Sequence, residues 1–419
     1  MVADDAWAAA ALDAEVARDP GLDPRDRALA TEIVYGVLRA YGQLREEILS
    51  HARKGRAPDR ETEIELLIAT YQLVFLTRIP AFAAVDAAVR AITEDRGKQV
   101  GAFANAVLRR IAARVEAGKV VGERSLWTPP WLAGVLVKSL GAAGARAFRE
   151  ASFAPPEGVL AVADVARRDE IVCDLHAVRP VRPGRWSPTA IVVEGHGALA
   201  ALPGIGERFI VQEEGSQLVA HAVGARAGEV VLDACAGRGH KTMILAASAH
   251  GGGRVDVADL HEAKLERAGA MLSSLGLAVG ERAVVDLSVG VGRLRGPYDR
   301  VLVDAPCSGT GTLRRRPEIL LRRRYEDLAE LACLQLAILS SVAPLVRPGG
   351  RLIHAVCTVL RAECEDVVDA FLRAHPAFAP APFDATAARA IAGEAAAMKL
   401  LPHVHGTDGY FVASLVKSC

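Results

Sequence analysis

From residue 206 onward, short aliphatic runs alternate with helical stretches, and this alternation constrains the fold more than any other feature of the 419-residue chain. EVVLDA, GRVDVAD, RAVVDLS, YDRVLVDAP and GGRLIHAVCT read as buried strands, whereas KTMILAASA, HEAKLERAGAMLSSLG and LAELACLQLAILSSVAPLV carry apolar residues at helical spacing. The pattern predicts an α/β domain, a Rossmann-like parallel sheet covered on both faces, spanning 206–419. In such sheets ligands gather beyond the carboxyl ends of the strands.

The preceding residues have a different texture. Over 1–118 apolar side chains recur every three or four positions: Ile33, Val37 and Leu44 in one stretch, and Ile64, Leu67, Ile68 and Tyr71 in the next. Pro80 interrupts before the pattern resumes, so this segment is expected to be an all-α domain. Residues 119–205 are rich in Pro and Gly, with β-like pieces GVLAVADVA and AIVVEG, and read as a small α+β intermediate module. A multidomain chain also fits the length, since one hydrophobic core seldom serves more than about 250–300 residues.

Charge and cysteine content narrow the function. The formal net charge is zero, which excludes a globally basic nucleic-acid coat and leaves local patches. Two are present: Arg314, Arg315, Arg316, Arg322, Arg323 and Arg324 in LRRRPEILLRRRYEDL, and the cluster in HARKGRAPDR. Such runs are ordinarily solvated helix faces, but the first begins just after a loop holding Cys307. No uninterrupted apolar run approaches the roughly 18 residues of a membrane span, and MVADDAW lacks the character of a secretory signal, so a cytoplasmic protein without membrane contact is expected. The seven cysteines include no C-x-x-C, and the pair His403 and His405 lacks a third ligand, so reduced thiols and no metal site are expected. Cys173 and Cys333 are read as inert buried thiols.

The first strand of the α/β region ends at Asp233 and enters a turn, Cys235, Ala236, Gly237, Arg238, Gly239, His240 and Lys241, before a helix. Glycines permit the tight turn and let backbone N–H groups approach a ligand at the positive end of that helix. A phosphate loop of the G-x-x-x-x-G-K type needs glycine where His240 stands, whereas a nucleoside-binding turn needs an acid at the end of the next strand for the ribose hydroxyls. Asp259 closes RVDVAD 20 residues beyond Gly239, and Asp286 closes AVVD. A purely structural turn explains the glycines alone; the succession of acids at strand ends favours a ligand.

Cys307 and Cys357 each follow an aliphatic strand at the ligand end, where both can face one cleft. A thiol near its reference pKa of about 8.5 needs nearby positive charge or a helix end to become an effective nucleophile. Paired thiols beside a nucleoside cofactor suit methylation of a pyrimidine: C5 becomes nucleophilic only after a thiolate adds at C6. Asp304 is placed to hold either the amino end of a cofactor or the Watson–Crick edge of cytosine. These residues alone leave open which thiol attacks.

VLDACAGRGHKT, DAPCSGTGTLRRRPEI and HAVCTVLRAECEDVV, together with VQEEGSQLVA and PHVHGTDGYFVASL, resemble the RNA (cytosine-5) methyltransferases of the NOL/NOP/Sun class. RALATEIVYGVLR, ATYQLVFLTRIPAFAAVDAAV and FANAVLRR resemble the NusB-like helical RNA-binding domain that precedes the catalytic domain in the bacterial small-subunit ribosomal RNA enzymes. The resemblance implies S-adenosylmethionine as cofactor, held by residues 235–241 with Asp259, Asp286 and Asp304. It further implies Cys357 as nucleophile, Cys307 as the thiol assisting release, and a monomer acting on 16S ribosomal RNA. The chain departs from the family at Gly237–His240, where Ala-Pro-Gly-Gly is usual, and at Val356–Thr358, where Thr-Cys-Ser is usual. Transfer RNA as substrate, and a non-catalytic RNA-binding or ribosome-assembly role, are the competing readings; a zinc deaminase is excluded because P-C-x-x-C is missing after Pro306.

Overall fold

A computed structural model describes residues 7–19, 21–52, 57–120, 122–195 and 199–419. Arg53, Lys54 and Arg56 of the second basic cluster lie outside the described residues. Backbone contacts divide the chain into two compact units, one of Met1–Gly134, Ala145–Ala154 and Arg314–Arg322, the other of Val135–Gly144, Pro155–Leu313 and Arg323–Cys419.

The first unit is helical. Its helices are Ala8–Arg18, Pro24–His51, Arg60–Phe75, Ala81–Arg96 and Lys98–Glu116, and two of them start on capping aspartates. Asp23 accepts from Arg25 N with Pro24 at the first helical position, and Asp59 accepts from Thr62 N. Leu44, Ile48, Leu66, Leu67, Ile92, Leu108 and Ile111 form the core. Ile64, expected on the buried face, is exposed; Leu66, Ala69 and Thr70 occupy that face instead. A helix rotates about 100° per residue, so a small error in phase turns a side chain outward.

Within the Pro- and Gly-rich 119–205 segment, expected to hold short β-like pieces, Pro130–Phe153 is helical. Pro129 and Pro130 stand at the helix start, where a missing N–H costs nothing, and Gly141 breaks the helical dihedrals with φ of 72°.

Two sheets build the second unit. The smaller contains β1 (Gly158–Val162), β2 (Val181–Pro183), β3 (Ala190–Val193) and β4 (Phe209–Val211) in the antiparallel order β2-β3-β1-β4. Ile171 and Leu175 of helix Arg168–His176 pack on Leu160, Val162, Ile191 and Phe209.

The larger sheet contains β5 (Val230–Asp233), β6 (Arg254–Asp259), β7 (Arg282–Val284), β8 (Tyr298–Asp304), β9 (Val346–Val356), β10 (Phe378–Pro380), β11 (Ala397–Leu400) and β12 (Tyr410–Lys417). The expected parallel arrangement holds across β7-β6-β5-β8-β9, but β12 runs antiparallel to β9 and carries β10 and β11, so the sheet is mixed. Alternate residues serve opposite faces. Val301 and Val303 belong to one core with Leu352 and Val356, and Leu302 to the other with Ile353 and Ala355. β5 lies between β6 and β8, so the chain leaves it in opposite directions and opens a crevice at the carboxyl ends.

Asp327–Leu345 is the one described stretch long and apolar enough, by length and composition, to cross a bilayer. Here Leu328, Ile338, Leu339 and Val342 are buried, the last three within the core on the Val301 face. Cys333 on this helix and Cys173 on helix Arg168–His176 are exposed, contrary to the buried reading. Cys173 lies off the Ile171–Leu175 stripe that faces the sheet.

Candidate active site

The glycine turn forms where β5 meets the crevice. Ala234 N donates to Leu302 O at 2.8 Å and Ala236 N to Ala258 O at 2.9 Å, which anchors the turn to the strands on either side. Gly237, with φ of 55°, donates its N–H to Asp259 Oδ2 at 3.0 Å. A side chain at Gly237 would meet open space, whereas a Cβ at Gly239 would lie 2.7 Å from that of Ala268. Glycine is thus required at 239 for packing and for its left-handed φ of 81°, and at 237 for its φ of 55° alone.

The acids divide in their contacts. Asp259 Oδ1 accepts from His261 N at 2.9 Å, and its other oxygen holds the turn. Asp304, at the end of β8, accepts from Lys241 Nζ at 2.6 Å. Asp286 is exposed and turned toward its own loop: Oδ1 accepts from Ser288 N at 2.9 Å and Ser288 Oγ at 2.6 Å, bonds that lower its pKa. Asp233 is buried, with Oδ2 accepting from Thr242 Oγ1 at 2.7 Å. Its Oδ1 has no hydrogen-bond partner among the described residues, and burial pushes its pKa up to about 6.

Burial disfavours the Lys241 ammonium, but Asp304 outweighs it, with Cys357 and Asp233 adding, so the lysine stays charged. His240 shifts the other way: burial, then Lys241 and Arg238, lower its pKa and keep the ring neutral at pH 7. Burial raises the Cys235 thiol, which marks it as unreactive, and Arg238 is exposed.

The two cysteines meet. Cys307 Sγ and Cys357 Sγ, both half-buried, stand 3.3 Å apart. The Cys307 thiol is raised well above its ordinary value by its hydrogen bond to Cys357, then by burial and the charges of Cys357 and Glu363. Gly311 N donates to Cys357 O at 3.0 Å, and Gly409 N donates to Gly311 O at 2.8 Å. Below the sulfurs, Thr358 Oγ1 lies 2.7 Å from Thr310 Oγ1 and accepts from Ser308 Oγ at 3.2 Å.

The arginine run separates into two groups. Arg323 donates to the carbonyls of Cys307 and Ser308, each at 3.3 Å. Arg314, Arg316 and Arg322 are engaged inside the helical unit: Arg39 Nη2 donates to Arg314 O at 2.8 Å, and Arg322 and Arg316 lie 4.4 and 5.7 Å from the centre of the Trp7 ring. Protein contacts therefore account for much of a run that composition alone reads as solvated.

A family model described as 16S rRNA methyltransferase RsmB/F matches residues 220–416, and a NusB family model matches residues 2–113. The probable ribosomal RNA small subunit methyltransferase B of Bacillus subtilis (strain 168) is 32% identical, covering 94% of this chain and 92% of that protein. This chain belongs to the RsmB/F methyltransferase family. The ribosomal RNA small subunit methyltransferase B of Salmonella typhi is 31% identical over 94% of this chain and 91% of its own length. The crystal structure of PH0851 shares the fold, with a TM-score of 0.78 and 24% identity over 95% of this chain and 91% of that one.

Membership makes the chain an S-adenosylmethionine-dependent RNA methyltransferase. The RsmB/F turn fits that cofactor in three respects: open space at Gly237, a carboxylate at the end of β6, and an orphaned buried oxygen on Asp233. Ser308, Thr310, Thr358, Gln335 and Glu363, which surround the thiol loops, escaped the sequence reading. A hydroxyl-rich S-G-T-G-T beside Cys307 was the available signal for two of them; Gln335 comes from a helix whose sequence gives no such sign.

Proposed function

We propose that this methyltransferase modifies C5 of a cytosine in 16S ribosomal RNA through a covalent bond between Cys357 and C6. The separation of 3.3 Å between the two sulfurs carries the reading. It also supports a division of labour that spacing alone left open. The hydrogen bond to Cys357, burial and the charge of Cys357 raise the Cys307 thiol well above its ordinary value, which supports Cys307 as the protonated partner and Cys357 as the attacking one; Cys357 also adds to the raised pKa of Lys241.

S-Adenosylmethionine supplies the electrophilic methyl group when bound. Gly237 and Asp259 belong to the turn that would hold it, with Cys235, Ala236, Arg238, Gly239, His240, Lys241, Asp286 and Asp304 as the other residues assigned to cofactor binding. Cys357 would add to C6 and move the C5=C6 π pair to C5, which would take the methyl group as the sulfonium S–CH3 bond breaks and its pair returns to the cofactor sulfur. The C5 proton passes to water, the C5–H pair restores the double bond, and the C6–S bond breaks to return Cys357 as thiolate. Cys307, 3.3 Å away, offers its S–H to that departing sulfur and so assists release.

The target base must leave its stack to reach the thiols, which favours single-stranded or loop RNA. Residues 1–118 are assigned to RNA binding, 119–205 to an intermediate RNA-recognition module and 206–419 to catalysis, in a cytoplasmic monomer needing neither metal nor membrane. Cys357→Ala is expected to abolish methyl transfer to small-subunit RNA, and Cys307→Ala to accumulate a denaturant-resistant protein–RNA adduct. Unchanged turnover in the first variant would overturn the nucleophile assignment.

A further inference from the structure

Glu363 is fully buried beside the thiol loops, and its bonded partners are neutral. Its Oε1 accepts from Ser308 N at 2.8 Å and from Gln335 Nε2 at 3.2 Å. The same Gln335 nitrogen donates to Pro306 O at 3.0 Å, so glutamine and glutamate together bracket Cys307 in the chain. Glu363 Oε2 is buried without a hydrogen-bond partner among the described residues. Burial raises the pKa of this carboxyl, against bonds from Ser308, Gln335 and Thr358. An apolar side chain would fill the space without that desolvation cost.

What the carboxyl holds is specific. Ser308 N belongs to the peptide whose carbonyl oxygen is that of Cys307, and Arg323 Nη2 donates to that oxygen at 3.3 Å. The peptide joining Cys307 to Ser308 is gripped at both ends, by Glu363 at its N–H and by Arg323 at its carbonyl. Glu363 itself lies six residues beyond Cys357, in the turn after β9. One side chain thus ties the loop bearing one thiol to the segment bearing the other.

We propose that Glu363 is a positioning residue that holds the Cys307 thiol against Cys357, and so governs release of methylated RNA more than attack upon it. The kinetic half of this statement rests on the release role assigned to Cys307 above; the geometric half does not. In the full-length enzyme with 16S RNA and S-adenosylmethionine, Glu363→Ala is expected to accumulate the covalent adduct, as Cys307→Ala does. Multiple turnover should fall about tenfold or more, with the single-turnover rate of adduct formation unchanged. Glu363→Gln retains an oxygen for Ser308 N and should restore turnover to within about threefold. A residue that merely stabilised the fold would lower the melting temperature without shifting the balance between attack and release.

Peptide-resolved alkylation by iodoacetamide supplies a readout independent of the reaction. Cys307 should label about tenfold faster in Glu363→Ala than in the unmodified enzyme, because both its tether and a neighbouring negative charge are removed. Should the alanine variant not fold, Gln335→Leu removes the bonds to Pro306 O and to Glu363 Oε1 and should also accumulate the adduct, with a smaller rise in Cys307 labelling because the Glu363 charge and its bond to Ser308 N stay. Adduct trapped by Cys307→Ala but not by Glu363→Ala, with unchanged Cys307 labelling, would overturn the proposal and leave the reaction scheme intact. No adduct in Cys307→Ala would remove the release role, and the labelling rate alone would then decide whether Glu363 positions the thiol.

Discussion

Asp233 shows how one residue links the turn to stability. Its folded pKa, raised to about 6 chiefly by burial, exceeds the value of 3.8 for a free side chain. The folded state therefore binds an extra proton between about pH 4 and 6; the stabilisation is complete below the lower value and is lost as pH rises through the upper. Asp233→Asn keeps an oxygen for Thr242 and removes the charge. Relative to the parent, it should gain roughly 2 kcal/mol on going from pH 4 to pH 7, read by denaturant unfolding at each pH. Taking the difference between the two proteins cancels His221 and His354, whose pKa values burial lowers to about 4 and which destabilise the fold as pH falls. Gly311 makes a steric test. A Cβ there would stand 2.0 Å from Gly409 O and 2.9 Å from Cys357 O. Gly311→Ala should cost about 1–3 kcal/mol of stability and, on the proposed mechanism, lower the rate of adduct formation, because the backbone around Cys357 must move.

Among the secondary-structure elements, β6, β5 and β8 bring Asp259, the glycine turn and Asp304 to one crevice. Asp259, at the end of β6, holds the turn that follows β5 through Gly237 N. Asp259→Ala is expected to weaken S-adenosylmethionine binding about tenfold or more by calorimetry, through loss of this charge-assisted bond and of the carboxylate itself. An unchanged affinity would contradict the assignment of this turn to the cofactor. Strands β5, β6, β8 and β9 were legible because each is an aliphatic run ending in a loop at the ligand side. The antiparallel edge was not: β10 has three residues including Pro380, and β12 has no crossover helix to announce it. Helical structure over Pro130–Phe153 was hidden by proline and glycine, which are tolerated at its start and at its break. At the thiols, the strand-end rule picked out Cys307 and Cys357. It had no means of finding Glu363 and Gln335, because the bonds of Glu363 to Gln335 and to Ser308 join segments 28 and 55 residues apart in sequence.

In the whole molecule, helical and α/β units accompany a chain without net charge. RNA affinity must then come from local surfaces, and Arg314, Arg316 and Arg322 are already engaged within the helical unit. The RsmB/F and NusB matches account for both ends of the chain, and membership fixes the chemistry as methyl transfer to RNA. The central claim, that Cys357 attacks and Cys307 releases, is tested most directly by mass spectrometry of the nuclease-trimmed adduct formed by Cys307→Ala with 16S RNA and S-adenosylmethionine. The expected result is a methylated cytidine attached to the peptide containing Cys357, with no adduct once Cys357→Ala is added. An adduct that survives loss of Cys357, or no adduct from Cys307→Ala under turnover conditions, would contradict it.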